Sequence, residues 1–244
     1  MRRRFVSALV FGLAGAALLV GLGVWQVRRL HWKEGLIARI EAKIAADPVA
    51  VPAAPDPVRD AYLPVVAGGR LTGQGLRVLT GVKFRGPGHL IVAVLETAGG
   101  RRLMVDLGFR PEGGDRSATG GSTGGAGRGG DGRVLAAIPA GQARITGNLI
   151  WPDEVDSFTP APDLSRHLWF ARDVPAMARV LGAEPVLIAA RRVEGVATRA
   201  DPMPVSTDGI PNDHRQYALT WFSLALVWLG MTGLLLWRIT RRTD

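Results

Sequence analysis

Residues 5–32 read FVSALVFGLAGAALLVGLGVWQVRRLHW. Phe5 to Val24 is a run of 20 residues without a charge. A helix rises 1.5 Å per residue, so such a run crosses a hydrocarbon layer of about 30 Å. A second run, Tyr217 to Trp237, covers 21 residues without a charge. The first exceeds the apolar length of a secretory signal and has no clear cleavage site after it, so it reads as a permanent anchor. The fold class that follows is a membrane protein with two transmembrane helices flanking an α+β extramembrane domain. With four residues ahead of the first run, no mitochondrial transit peptide is expected.

The formal net charge is +9, which invites a nucleic-acid reading. Placement argues otherwise. Of the 30 Lys and Arg, twelve flank the two runs: Arg2, Arg3, Arg4, Arg28, Arg29, Lys33, Arg39, Lys43, Arg215, Arg238, Arg241 and Arg242. Lipid headgroups attract basic residues there, and no nucleic-acid recognition motif occurs elsewhere. The chain has no cysteine, which excludes a disulfide framework, thiolate metal sites and a cysteine nucleophile. Arg238, Arg241 and Arg242 follow the second run against Arg215 before it, so the positive-inside rule puts both termini in the cytoplasm and the middle in the periplasm. The Ala, Gly and Arg richness suits a bacterial chain, and the expected location is a bacterial inner membrane.

The expected order is a cytoplasmic start (1–4), a first transmembrane helix (5–27), a helical extension (28–46), a periplasmic domain (47–213), a second transmembrane helix (214–237) and a cytoplasmic tail (238–244). Leu30, Leu36, Ile37, Ile40 and Ile44 keep a helical period past the first span. A Pro/Ala linker, DPVAVPAAPDPV, follows. LPVVAGGRLTG, GLRVLTGVKF, HLIVAVLET, RRLMVDLGF, ARITGNLIW and EPVLIAARRV read as short, mostly antiparallel strands. TAGGRR reads as a hairpin turn. DVPAMARVLG reads as a short helix with Asp173 as N-cap and Gly182 just past its end. Residues 113–132 are Gly-rich and read as a flexible insertion.

No phosphate loop, dinucleotide fingerprint, zinc-protease helix or nucleophile elbow occurs, and the expectation is that the protein is not an enzyme. The acidic trio Asp153, Glu154 and Asp156 reads as a solvated loop. His89 and His167 read as ordinary loop or strand-edge residues. The sharpest pattern lies at the two spans. At 100° per residue, His214, Tyr217, Trp221 and Trp228 fall within about 60° of one another, and Trp25, Arg28, Arg29, Trp32 and Leu36 within about 100°. An aromatic belt with snorkelling cations makes such stripes. So does a site for a flat anionic ligand between the helices, with aromatics on its faces, Arg28 or Arg29 on its carboxylates and His214 on a metal. Ala8, Gly12 and Ala16, four residues apart, favour close helix packing.

GLGVWQVRRLHWKEGLI and NDHRQYALTWFSLA resemble the two signatures of the Surfeit locus protein 1 family. LMVDLGFRPEG, ITGNLIWPDEVDSFTP and LWFARDVPAMARVLG are similar to its central segments, LMVDLGFRPEG to a stretch before a Gly-aromatic-x-Pro turn. The resemblance covers nearly the whole chain apart from residues 113–132. It departs at Gly-Phe-Arg-Pro, where a bulkier aromatic and no Arg are usual, and at Pro-Asn-Asp before the histidine. It implies an assembly factor for cytochrome c oxidase that receives or positions haem a for subunit I. His214 matches the family's haem-implicated histidine, and Trp221 the tryptophan of that signature. Trp25, Gln26, Arg29 and Trp32 match the first signature. Expected partners are subunit I, other oxidase assembly proteins or haem a synthase, and membrane lipid. The alternative is a cofactor-free scaffold that stabilises an assembly intermediate.

Overall fold

The computed structural model describes residues 2–112 and 138–241; the Gly-rich insertion lies outside them. The chain divides into two units, residues 1–41 with 207–244, and residues 42–206.

The first unit is a helical hairpin. Helix α1 runs Arg2–Ile44 without a break, and the last helix, numbered α3 here, runs His214–Arg241. Each is long and apolar enough to cross a membrane. Their outward side chains are uncovered by protein: Phe11 is 68% exposed and Leu226 71%. Apolar surface of this extent is stable against lipid rather than water. The helices are antiparallel, since Gly12 meets Thr232, Gly15 meets Trp228 and Gly23 meets Phe222.

Their contact seam follows a coiled-coil spacing. On α1 the covered positions Gly12, Ala16, Leu19, Gly23, Gln26 and Leu30 alternate by four and three. On α3 His214, Ala218, Trp221, Ala225, Trp228 and Thr232 do the same. A three-four repeat keeps one stripe facing its partner along the whole length. Small residues set the distance. A Cβ on Gly12 would lie 2.1 Å from a Thr232 methyl, and one on Gly15 2.5 Å from the Trp228 ring. The indole of Trp228 fills the space these glycines leave, and its Nε1–H donates to the Gly12 carbonyl at 2.9 Å. Phe11 packs on the same indole, centroids 5.4 Å apart.

The second unit is built on a strongly curved sheet. Its strands are β1 (Val49–Ala50), β2 (Pro64–Val82), β3 (Gly86–Thr97), β4 (Arg102–Pro111), β5 (Ala140–Ile150), β6 (Leu168–Trp169) and β7 (Leu187–Glu194). The pairing runs β2–β3–β4–β7–β5 and returns to β2, so five strands close into a barrel. All these pairs are antiparallel except β4 with β7. β1 and β6 attach to β2 in parallel. Closure removes the open sheet edges that would otherwise pair with other chains.

LPVVAGGRLTG and GLRVLTGVKF, read as two strands, are one strand of 19 residues. Gly73, at φ +77°, sits in a bulge between Leu71 and Gly75 rather than in a turn. The bulge bends β2, letting its first half pair with β5 and its second half with β3. TAGGRR does form the hairpin between β3 and β4, with Gly100 at φ +77°. The Gly-Phe-Arg-Pro segment is the end of strand β4, not a turn. Gly108 takes φ +112° there, because a Cβ would meet the Asp201 carbonyl oxygen at 2.0 Å.

Two apolar layers hold the domain. Alternate residues such as Leu71, Ile91, Val105, Ile145 and Ile188 form the first, on the inner face of the barrel. Leu76, Val92, Met104, Phe109 and Leu187 form the second, on the outer face. Strands buried on both faces read as continuous apolar runs, which is why HLIVAVLET shows no alternation. Helix α2 (Val174–Leu181) covers the outer layer with Val174, Met177, Ala178 and Leu181. Burying a side chain of the size of Val, Met or Leu contributes about 2 kcal/mol. The Asp173 side chain accepts from the Ala176 N–H, and Gly182 ends the helix at φ 59°, as the sequence predicts.

Candidate functional site

In the helical hairpin, the chemically distinctive contact joins Gln26 to His214. Gln26 occupies a seam position of α1 and is 8% exposed. An apolar residue there would only pack; an amide there needs a partner, because an unsatisfied polar group in such a setting costs several kcal/mol. His214, the first residue of α3 and half-buried, provides it, with imidazole Nδ1 2.8 Å from Gln26 Oε1. Two turns of α1 further from the apolar stretch, the Lys33 ammonium donates to the Pro211 carbonyl. Asn212, also beside His214 in sequence, has a buried Oδ1 without a hydrogen bond. This end of the seam is thus polar, whereas the Gly12–Trp228 end is closely packed.

The sequence stripes fare unequally. His214, Trp221 and Trp228 lie along the seam. Tyr217 is 55% exposed and faces away from it. On α1, Trp25 and Trp32 are 56% and 50% exposed, and Arg28 and Arg29 are exposed too. The Arg29 guanidinium stacks on the Trp32 ring at 3.9 Å. The Trp25–Trp32 stripe and the His214 stripe therefore do not close on each other. The reason is angular. Gly23, Gln26, Leu30 and Lys33 lie roughly 80–180° around α1 from the tryptophans, and the glycines among the seam residues give the nearer approach. A ligand slot between the helices is filled by Trp228 and Phe222 against Gly12, Gly15 and Gly23. Gln26, the residue of α1 that touches His214, was legible only as one position of a signature. The three-four spacing of Gly12, Ala16, Leu19 and Gly23 was the signal that would have placed it on the seam.

In the barrel unit, charge converges at one point. The guanidinium of Arg172, just before α2, reaches Asp106 on β4 at 3.3 Å and donates twice to Oε1 of Glu154, after β5, while the Arg172 backbone N–H donates to Glu154 Oε2 at 2.9 Å. Glu154 is thus an anchor and not the solvated residue expected; Asp156 instead closes its own turn with Phe158 and Thr159. Asp106 is 4% exposed, and Oδ1 accepts from the Gly108 N–H at 3.0 Å. Burial pushes its carboxyl above the usual range, against the pull of Arg172 and the Gly108 N–H. Burial also pushes Glu154 up, but the hydrogen bonds from Arg172 outweigh it and hold that carboxyl below its usual range. LMVDLGFRPEG, ITGNLIWPDEVDSFTP and LWFARDVPAMARVLG meet here, far apart in sequence and joined by one guanidinium. Among the described residues, no group of three or more His, Asp or Glu is placed to hold a metal ion.

A β-barrel domain that lies in sequence between two apolar terminal helices, with a polar Gln–His contact at one end of the helix seam, defines the class of a membrane-anchored protein. Residues 13–226 match the SURF1 family, and the chain belongs to it. It is 29% identical to Surfeit locus protein 1 of Homo sapiens over 224 residues, covering 84% of this chain and 69% of that protein. It is 30% identical to a SURF1-like protein of Monosiga brevicollis over 225 residues, 86% of this chain and 80% of that one. It is 27% identical to Surfeit locus protein 1 of Takifugu rubripes over 236 residues, 85% and 88% respectively. Membership of this family implies a role in cytochrome c oxidase assembly.

Proposed function

We propose that the protein is a non-catalytic assembly factor that holds haem a as cargo at the His214 end of the helix seam and presents it to subunit I of the oxidase. The observation that carries this reading is the half-buried imidazole of His214 engaged through Nδ1 by Gln26, which leaves Nε2 for an axial bond. A lone imidazole holds a bare metal ion poorly. A porphyrin supplies four donors of its own and asks the protein for one more, which fits a site with a single histidine.

Because the seam is packed shut, the macrocycle would lie against the outside of the helix pair. Tyr217, which faces outward, and the uncovered edge of half-buried Trp221 continue from His214 along α3 and offer apolar contact there. Arg28 on α1 has an exposed cationic head able to meet propionates. Arg29, stacked on Trp32, keeps its guanidinium edge for the same purpose. Trp25 and Trp32, facing outward, suit contact with lipid headgroups or with subunit I. In this reading the barrel is periplasmic, both termini are cytoplasmic and the membrane is a bacterial inner membrane. Haem a synthase is the donor, since the cargo must come from the enzyme that completes it.

The test is co-expression with the enzymes of haem a synthesis, purification in detergent and visible spectroscopy. Wild-type protein should carry haem a, and His214→Ala should lose it. Retention of the same haem with an unchanged spectrum by His214→Ala would remove the histidine from this role and favour the cofactor-free scaffold.

A further inference from the structure

Gln26 is the polar member of an otherwise apolar stretch of the α1 seam. It is nearly fully buried on the seam, in a stripe otherwise made of Gly12, Ala16, Leu19, Gly23 and Leu30. Its amide Oε1 lies 2.8 Å from His214 Nδ1 on the facing helix. An amide oxygen only accepts, so the ring nitrogen opposite it must carry the hydrogen. A neutral imidazole has one N–H and one lone pair. Fixing the hydrogen on Nδ1 therefore places the lone pair on Nε2. A neutral histidine side chain in water prefers the opposite arrangement, with hydrogen on Nε2.

We infer that Gln26 is a positioning residue: it holds His214 in the Nδ1–H tautomer and fixes its ring plane, so that Nε2 is the nitrogen offered to an incoming metal centre. The inference rests on the reading of His214 as the haem ligand for its purpose, but the tautomer itself is a property of the unloaded protein. The arrangement is the outer-shell hydrogen bond by which ligating histidines are oriented, and such partners typically change metal affinity 10- to 100-fold. Here the partner is a neutral amide rather than a carboxylate. In a hairpin whose surroundings are apolar, a carboxylate would add a charge to bury. The amide orients the ring without that cost. Because Gln26 and His214 lie on opposite helices, the orientation also depends on the hairpin being closed.

The experiment uses full-length protein without haem, labelled with 15N-histidine, at a pH where the imidazoles are neutral. His214 is assigned by comparison with His214→Ala. The pattern of two-bond 1H–15N correlations reports which ring nitrogen carries the hydrogen. Wild type should show His214 as Nδ1–H, Gln26→Glu should keep that tautomer, and Gln26→Leu should shift it to Nε2–H. On loading with haem a, Gln26→Leu should retain at least 10-fold less haem than wild type, while Gln26→Glu stays close to it.

An Nε2–H tautomer in wild type overturns the inference. So does a Gln26→Leu protein with lowered thermal stability but wild-type tautomer and haem retention, which would make Gln26 merely a polar bond between helices. The failure of the haem reading looks different: wild type would show the Nδ1–H tautomer, yet His214→Ala would keep its haem.

Discussion

Arg172→Leu tests the junction on which the barrel's outer face depends. The guanidinium lies 3.3 Å from an Asp106 oxygen, with side-chain exposures of 23% and 5%. At an effective dielectric constant of about 20 the gross attraction at this distance is about 5 kcal/mol. Removing one partner of a buried pair costs about 3–5 kcal/mol, because the other charge stays buried. Partial exposure of Arg172 places the expected loss near the lower end, about 3 kcal/mol. The pH dependence has a definite sign. Asp106 is held above its ordinary value of 3.8 by burial, so the folded state keeps its proton to higher pH than the unfolded state. Its ionisation costs stability as pH rises from that value through the folded one. Without Arg172 this cost grows. Glu154, held low by Arg172, contributes stability that is present above its unfolded value and lost as pH falls, and the variant forfeits it. Both terms make the penalty of Arg172→Leu larger at about pH 7.5 than at about pH 4.5.

Urea unfolding followed by tryptophan fluorescence in detergent measures it, with buried Trp169 in the outer layer as the reporter. Adding Asp106→Asn to Arg172→Leu should restore at least about 1 kcal/mol, since an amide can still accept from the Gly108 N–H without a buried charge. A loss below about 1 kcal/mol that is also flat with pH would refute the claim that this pair carries the junction.

Two further substitutions probe the backbone approaches. Gly12→Val should destabilise the hairpin, because its Cβ would lie 2.1 Å from Thr232, whereas Gly21→Val, with nothing within 4 Å, should leave thermal unfolding of the full chain unchanged. Gly108→Ala should cost about 3 kcal/mol or more, since φ +112° is strained for alanine and its Cβ would strike the Asp201 carbonyl; urea unfolding at neutral pH reads the loss.

The two helices, the hairpin at Gly100 and α2 with its Asp173 and Gly182 caps were legible because each rests on a local rule of length, turn chemistry or capping. Barrel closure was not. It depends on the bulge at Gly73, which in sequence looks like the break between two strands, and on a long-range pairing of β2 with β5. Arg172 was invisible for the same reason, since nothing in sequence joins it to Asp106 and Glu154. At the candidate site, His214 stood out as a polar residue at the edge of an apolar run. Its partner did not, because the conspicuous tryptophans mark a different face of α1. Trp25 and Trp32 are large and rare, but packing distance is set by what is small, and the seam follows Gly12, Ala16 and Gly23.

Handling of haem a through His214, as proposed above, has a direct consequence for the oxidase itself. The most direct measurement is the haem a content per subunit I of cytochrome c oxidase purified from a strain lacking its own copy of this protein. That strain is compared after supplying either wild-type protein or His214→Ala at equal membrane abundance. Wild type should restore haem a to the level of the parent strain, and His214→Ala should leave it depleted several-fold. Equal restoration by both would contradict the account.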